Sequence, residues 1–314
     1  MNSLRLRLPA TSANLGPGFD AIALALNLHL EIAAEAAAGF SIEAEGRNRE
    51  ICSRLDHNLL IQTYRETLSG AGKTVLPLRL RIANGIPLGM GCGSSAAARL
   101  AGIALAAHFG ELGWDSDKLV SEAARLEGHP DNVAACWYGG LTVAAEAPGR
   151  LAALTLSPPG SWRACLAIPT APLATARARA ALPARYARAE VVANLQSLAL
   201  LVGAFASSRP ELLELGSRDR LHQPYRAELC PLLPALLPMA GQGGVLSVTL
   251  SGAGPAALLL IDGGDPQGAG SREDRFEPIK REIEERTRTL GPLEILNLAL
   301  DRQGTAIDAS AAGA

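Results

Sequence analysis

Two short stretches of this chain carry residue types suited to chemistry on phosphate. In the first, residues 86–98 read IPLGMGCGSSAAA: Gly89, Gly91 and Gly93 alternate and then run into Ser94 and Ser95 at the head of an alanine-rich apolar segment. Alternating glycines let the backbone approach an anion closely, and the serines sit where the free N–H groups of a helix start point outward. The second, Glu127-Gly-His-Pro-Asp-Asn132, packs two carboxylates, an imidazole and an amide into six residues. A carboxylate in such a turn suits magnesium, which prefers hard oxygen ligands and takes one or two carboxylates from protein. Each stretch also has a plainer reading. Ser94 can be ordinary helix-start punctuation, and Asp131 or Asn132 can cap the helix that follows.

Spacing excludes two phosphate loops. No G-x-x-x-x-G-K-[ST] is present, since the nearest lysines are Lys73 and Lys118, and Ser94 stands where the dinucleotide fingerprint needs its third glycine. A loop without a lysine must hold phosphate through backbone amides, serine hydroxyls and a metal ion. Two further clusters, Ser12-Ala-Asn-Leu-Gly-Pro-Gly-Phe-Asp20 and Ser251-Gly-Ala-Gly-Pro255, read as glycine-proline turns after strands.

The elements that must position these clusters are visible as periodicities. Leu4 to Leu8 and Leu78 to Ile82 alternate apolar residues with arginine, and Leu246, Val248 and Leu250 repeat the alternation, as half-buried strands do. Helical patterns cover Asn58 to Leu68, Ser95 to Phe109, Asp117 to Leu126, Glu190 to Ala206, and Pro278 to Arg288, the last with proline in its first turn. Strands and helices mix without a regular βαβα beat, which implies an α+β architecture. A turn at Pro158-Pro159-Gly160 precedes an apolar strand from Arg163 to Ile168 and marks a domain boundary, giving domains 1–162 and 163–314. Gly263 to Ser271 reads as a flexible surface loop and the tail from Asp308 as frayed.

At 314 residues with net charge −2, the chain has ample sequence for a core and no clustered basic surface for nucleic acid. Five widely spaced cysteines without a C-x-x-C pair support neither a disulfide framework nor a zinc site. Apolar stretches short of a membrane span and the lack of a basic-then-apolar leader imply a soluble cytoplasmic protein.

Taken in order, SANLGPGFD, PLGMGCGSSAA, EGHPDNVAA followed by GGL, and LSGAGPA resemble the GHMP kinase superfamily; the first and third motifs resemble its homoserine kinase branch. Thr175-Ala-Arg-Ala-Arg179 ahead of Leu182-Pro183, and Asp219-Arg-Leu-His-Gln-Pro-Tyr-Arg226, are similar to segments of that branch. Two positions depart from the pattern: Cys92 stands where the loop usually has leucine, and Met90 where a polar or basic residue is common.

The resemblance implies a two-domain fold, with an N-terminal domain containing a left-handed βαβ crossover and a ferredoxin-like C-terminal domain. It implies phosphorylation of the L-homoserine side-chain hydroxyl by ATP with Mg²⁺, in threonine biosynthesis, by a homodimer. Arg179 and Arg226 would clamp the carboxylate of the amino acid; Asn14, Asp20 and Asp131 would meet its amine or hydroxyl end, with Thr175 and His129 completing the shell. Pro87, Leu88, Gly89, Met90, Gly91, Cys92, Gly93, Ser94, Ser95, Ala96 and Ala97 would form the ATP loop, and Ser95 would share the metal with Glu127, for which Glu122 competes. Catalysis would rest on Asp131 and Asn132, with Asn132 orienting the hydroxyl and Asp131 either holding the amine or acting as base. Rival readings are a GHMP kinase for another alcohol, such as shikimate or mevalonate, and a nucleotide-binding sensor without turnover.

Overall fold

The computed structural model describes residues 3–147, 150–264 and 272–309. Most of the loop expected at Gly263 to Ser271 and the end of the tail lie outside these residues. The first half of the chain runs β1 (Ser3–Asn14), β2 (Gly18–Ala36), β3 (Ser41–Gly46), α1 (Arg49–Cys52), α2 (Leu59–Gly70), β4 (Leu78–Asn84), α3 (Ser94–Phe109), α4 (Ser116–Glu127), α5 (Asp131–Tyr138), β5 (Leu141–Ala147) and β6 (Arg150–Leu156). The second runs β7 (Trp162–Pro169), α6 (Thr175–Ala180), α7 (Arg188–Ser207), α8 (Leu213–Gly216), α9 (Gln223–Arg226), α10 (Leu232–Leu236), β8 (Val245–Leu250), β9 (Ala257–Asp262), α11 (Arg272–Arg286), β10 (Leu293–Ala299) and β11 (Ala306–Asp308).

The alternating Leu-Arg runs become β1 and β4, both antiparallel to the long β2. Their leucines are buried and their arginines solvated, with Arg7 opposite Glu31 and Arg79 opposite Glu35. β3 joins β4 in parallel, so β3, α1, α2 and β4 form the βαβ unit of a seven-stranded sheet. The alanine-rich α3 lies in the core, with Leu100, Ile103 and Leu105 fully buried. The second sheet has the order β10-β7-β9-β8 and is antiparallel throughout. With its helices this is the βαββαβ arrangement of a ferredoxin-like domain. α11 starts before the expected Pro278, which falls inside the helix.

The strands change sheet between Leu156 and Trp162, where the boundary was expected, yet β11 returns to pair with β1 of the first sheet. The returning segment is clasped by Asp301. Its backbone N–H donates to Ala25 O, and its carboxylate accepts from His29 Nε2 at 2.8 Å and from the N–H groups of Gln303 and Gly304. Burial pushes the Asp301 carboxyl up, but the His29 hydrogen bond and the two backbone donors outweigh it and hold the carboxyl below its usual range. A depressed carboxyl stabilises the fold above the unfolded value of about 3.9 and loses that contribution as pH falls through its folded value. Asp301→Asn is therefore expected to cost about 1.5–3 kcal/mol at neutral pH and much less at pH 3, read from denaturant unfolding at both.

α7 meets the length and composition of a bilayer-crossing helix, but Glu190, Asn194, Gln196 and Ser197 interrupt its apolar run. Within the protein its Asn194 is buried and binds Pro17 O, and its Phe205 packs edge-on against Trp162. All five cysteines are free, four of them buried.

Candidate active site

One cleft of about 520 Å³ gathers residues from both domains. Its floor is the glycine loop, which leaves β4 and enters α3. Gly91 and Gly93 are left-handed, at φ +77° and +70°, and each is packed against a neighbour. A Cβ on Gly91 would lie 2.0 Å from Ser251 O, and one on Gly93 would lie 1.9 Å from Thr11 Oγ1. The loop thus has the shape that only glycine permits. Ser251 Oγ donates to Gly91 O, and Gly252 N donates to Ala13 O, so the second domain's turn is fastened to both the glycine loop and the end of β1.

The 127–132 turn closes one side. α4 ends at Glu127 with Gly128 in the left-handed conformation, and α5 starts at Asp131. Neither Asp131 nor Asn132 is the cap, which is Pro130. Asp131, 1% exposed, accepts through Oδ1 from His129 Nδ1 and from Asn132 N, both at 2.6 Å. Thr11 Oγ1 donates to Asn132 Oδ1 at 2.6 Å, which fixes the amide so that its Nδ2 donates toward Asp131 Oδ1 at 3.3 Å. Burial lowers the pKa of His129, but Asp131, Asp20 and Glu127 outweigh it and raise the pKa overall. Because Gly93 backs directly on Thr11, Gly93→Ala is expected to displace Asn132 and to cut kcat about a hundredfold, with the fold retained by thermal melting.

The other end is cationic. Arg179 on α6 makes a two-pronged pair with Asp20, at 2.9 and 2.6 Å. Arg226, at the end of α9, is 1% exposed and makes no ion pair among the described residues. Its NH1 meets His222 Nδ1 at 3.1 Å and its Nε–H donates to Ala178 O. His222 Nε2 in turn donates to Gly16 O at 2.7 Å, so its Nδ1 is an acceptor and the ring is neutral. Burial, with Arg226 adding to it, holds the imidazole pKa down against Asp219. The Phe19 ring stands 5.4 Å from each guanidinium. Asp219 accepts from the N–H groups of Leu221, His222 and Gln223, which shapes the turn that delivers Arg226.

Of the residues expected from sequence, Asn14, Asp20, His129, Asp131, Asn132, Thr175, Arg179 and Arg226 line the cleft, as do Gly89, Gly91 to Ser95 and Glu127. The amide of Asn14 is committed within the protein: its Nδ2 donates to Gly252 O and its Oδ1 accepts from Asp20 N. Pro87, Leu88, Met90, Ala96 and Ala97 are not part of the lining: Ala96 and Ala97 are core residues, Met90 packs on the core, and Leu88 N faces Asn48 Oδ1. Glu122 is held by Lys118 and Arg125 away from the cleft, whereas Glu127 Oε2 accepts from Ser95 Oγ at 2.9 Å within it. Phe19, Arg99, Thr11 and His222 were missed. Phe19 and His222 stand inside motifs already singled out, but nothing in their type distinguishes them from packing residues.

Two cleft groups have metal-ligand types. Ser95 and Glu127 offer hard oxygens, the donor chemistry magnesium takes. Asp20, His129 and Asp131 place one ligand atom each within 4.8 Å of one another, but His129 Nδ1 is engaged by Asp131 and both Asp20 oxygens by Arg179. The first group fits the metal.

Residues 58–140 match the model of the GHMP kinases N terminal domain, and residues 196–286 match that of the GHMP kinases C terminal domain. The homoserine kinase of Solibacter usitatus is 42% identical over 82% of this chain and 85% of its own length. The chain belongs to the homoserine kinase family of GHMP kinases. The homoserine kinase of Thermus thermophilus is 41% identical over 84% of this chain and 89% of its own. Among solved structures, a putative homoserine kinase from Listeria monocytogenes superposes with a TM-score of 0.72 at 30% identity, covering 98% of this chain and 100% of that one. Homoserine kinase from Cytophaga hutchinsonii, at 23% identity and TM-score 0.80 over 98% of both chains, shares the fold. In this family's frame the glycine loop, the 127–132 turn and the Ser251 turn are walls of a single cleft.

Proposed function

We propose that this chain transfers the γ-phosphoryl group of ATP to the side-chain hydroxyl of L-homoserine, as a cytoplasmic enzyme of threonine biosynthesis acting as a homodimer. The observation that carries the reading is the pairing of opposite receptors in one cleft. Arg226 is a buried cation without an ion-pair partner among the described residues, which is costly unless a ligand supplies one. In the same cleft, Asp20 and Asp131 offer carboxylate oxygens to a substrate ammonium. A zwitterionic amino acid satisfies both; mevalonate and shikimate have no ammonium to offer.

In this arrangement Arg226, seconded by Arg179, takes the carboxylate, and Asp131 with Asp20 takes the ammonium. Asn132 Nδ2 orients the hydroxyl toward the γ-phosphorus. Asp131 Oδ1 already accepts from His129 and Asn132, which suits a binding group better than a base. The glycine loop and Ser94 present N–H and hydroxyl donors to the phosphates, and the positive end of α3 favours the anion. Ser95 and Glu127 would hold Mg²⁺, which would offset the charge of the phosphates. Positioning and charge stabilisation then supply the catalysis.

An acceptor series tests the receptors. 4-Hydroxybutyrate lacks the ammonium and 3-aminopropan-1-ol lacks the carboxylate; each is expected to fall at least about 30-fold in kcat/KM against L-homoserine. Equal turnover of 4-hydroxybutyrate would remove the ammonium receptor from the account.

A further inference from the structure

The glycine loop is uncharged from Ile86 to Ala98. Backbone amides and hydroxyls are neutral donors, so a polyanionic triphosphate lying on them still lacks a protein cation. Of the three arginines in the cleft wall, two serve its other end: Arg179 is held by Asp20, and Arg226 is buried against His222.

Arg99 is the third. It stands four residues after Ser95 on α3, so the two side chains leave the same face of the helix. Its Nε–H donates to Glu127 Oε2 at 2.8 Å, the same oxygen that accepts from Ser95 Oγ. The contact is single, where an arginine serving only to neutralise a carboxylate commonly engages both oxygens with its fork. The terminal amino groups make no other hydrogen bond among the described residues, and the side chain, 22% exposed, lines the cleft. Arg179 shows the two-pronged alternative in the same cleft.

We propose that Arg99 is the phosphate-binding cation of the nucleotide site. Its Nε–H holds Glu127, and its terminal amino groups take oxygens of the triphosphate lying between the glycine loop and Glu127. The side chain thereby replaces the lysine that the loop lacks. This assignment rests on the kinase reading above.

The test is calorimetric titration of ADP and of a non-hydrolysable ATP analogue into the wild type, Arg99→Gln, Arg99→Lys, Glu127→Gln and the double variant Arg99→Gln/Glu127→Gln. Each is titrated in EDTA and again with Mg²⁺, after thermal melting has established the fold. Arg99→Gln is expected to weaken metal-free nucleotide binding about tenfold or more, Arg99→Lys to recover part of it, and the loss to persist when Glu127 is already glutamine. L-Homoserine affinity should stay within about twofold. Metal-free binding unchanged in Arg99→Gln, or a loss that disappears in the Glu127→Gln background, would overturn the proposal and leave Arg99 as a support for Glu127. If Arg99→Gln does not fold, Arg99→Lys against wild type gives the same reading through its weaker binding. A wild type that binds no nucleotide with or without metal would overturn the kinase reading itself.

Discussion

Replacing Arg226 with methionine should raise the KM for L-homoserine by about 30-fold to several thousand-fold, the range for truncating one partner of a buried charge pair, while the KM for ATP changes little. The size follows from burial. The guanidinium is 1% exposed, its protein partners are an imidazole nitrogen and carbonyl oxygens, and no carboxylate among the described residues pairs with it. Burial pushes its pKa down, with Arg179 adding to the effect against Asp20 and Asp219. The substrate carboxylate therefore supplies the direct ion pair that no described carboxylate gives this cation. Arg226→Lys should rescue little, because a lysine cannot both reach His222 and present a planar fork to two oxygens. Steady-state kinetics with each substrate varied in turn separates the effects. A rise confined to the KM for ATP would place Arg226 on the nucleotide instead.

Asp131→Asn separates binding from base catalysis. The substitution keeps shape and removes charge at a residue whose Oδ1 already takes hydrogen bonds from His129 and Asn132. If Asp131 holds the ammonium, the KM for homoserine should rise about a hundredfold and kcat should stay within about tenfold. A general base would show the opposite pattern, kcat falling by about 10²–10⁴ with KM little changed. His129 sharpens the reading, since its raised pKa depends on Asp131. In Asp131→Asn the imidazole should titrate lower, which NMR of its ring protons would show directly.

The positions of the cleft residues were legible in sequence wherever backbone geometry demanded a residue type. Gly91 and Gly93 announced a loop because no other residue fits at their φ and contacts, and the Leu-Arg alternation announced β1 and β4 because a half-solvated sheet has a period of two. β2 was not read: its 19 residues are apolar over long runs because three other strands pair along it. Pairings between distant segments were also beyond reach. Nothing in the sequence couples Arg179 to Asp20, 159 positions away, or turns Asn14 toward Gly252. The alanines at 96 and 97 were read as helical, but nothing in the sequence showed that they face the core and not the ligand. That Glu127 faces the cleft while Lys118 and Arg125 hold Glu122 on another surface of α4 is visible only in the fold.

The most direct measurement is a coupled assay of ADP release with Mg-ATP and, in parallel, L-homoserine, L-serine, shikimate, mevalonate and no acceptor. Turnover strongly favouring L-homoserine, abolished by chelating magnesium, with O-phospho-L-homoserine identified as product, is the predicted result. Turnover of an acceptor without an ammonium group, at a rate matching or exceeding that of L-homoserine, would contradict the paired receptors of Arg226 and Asp131 on which the account depends.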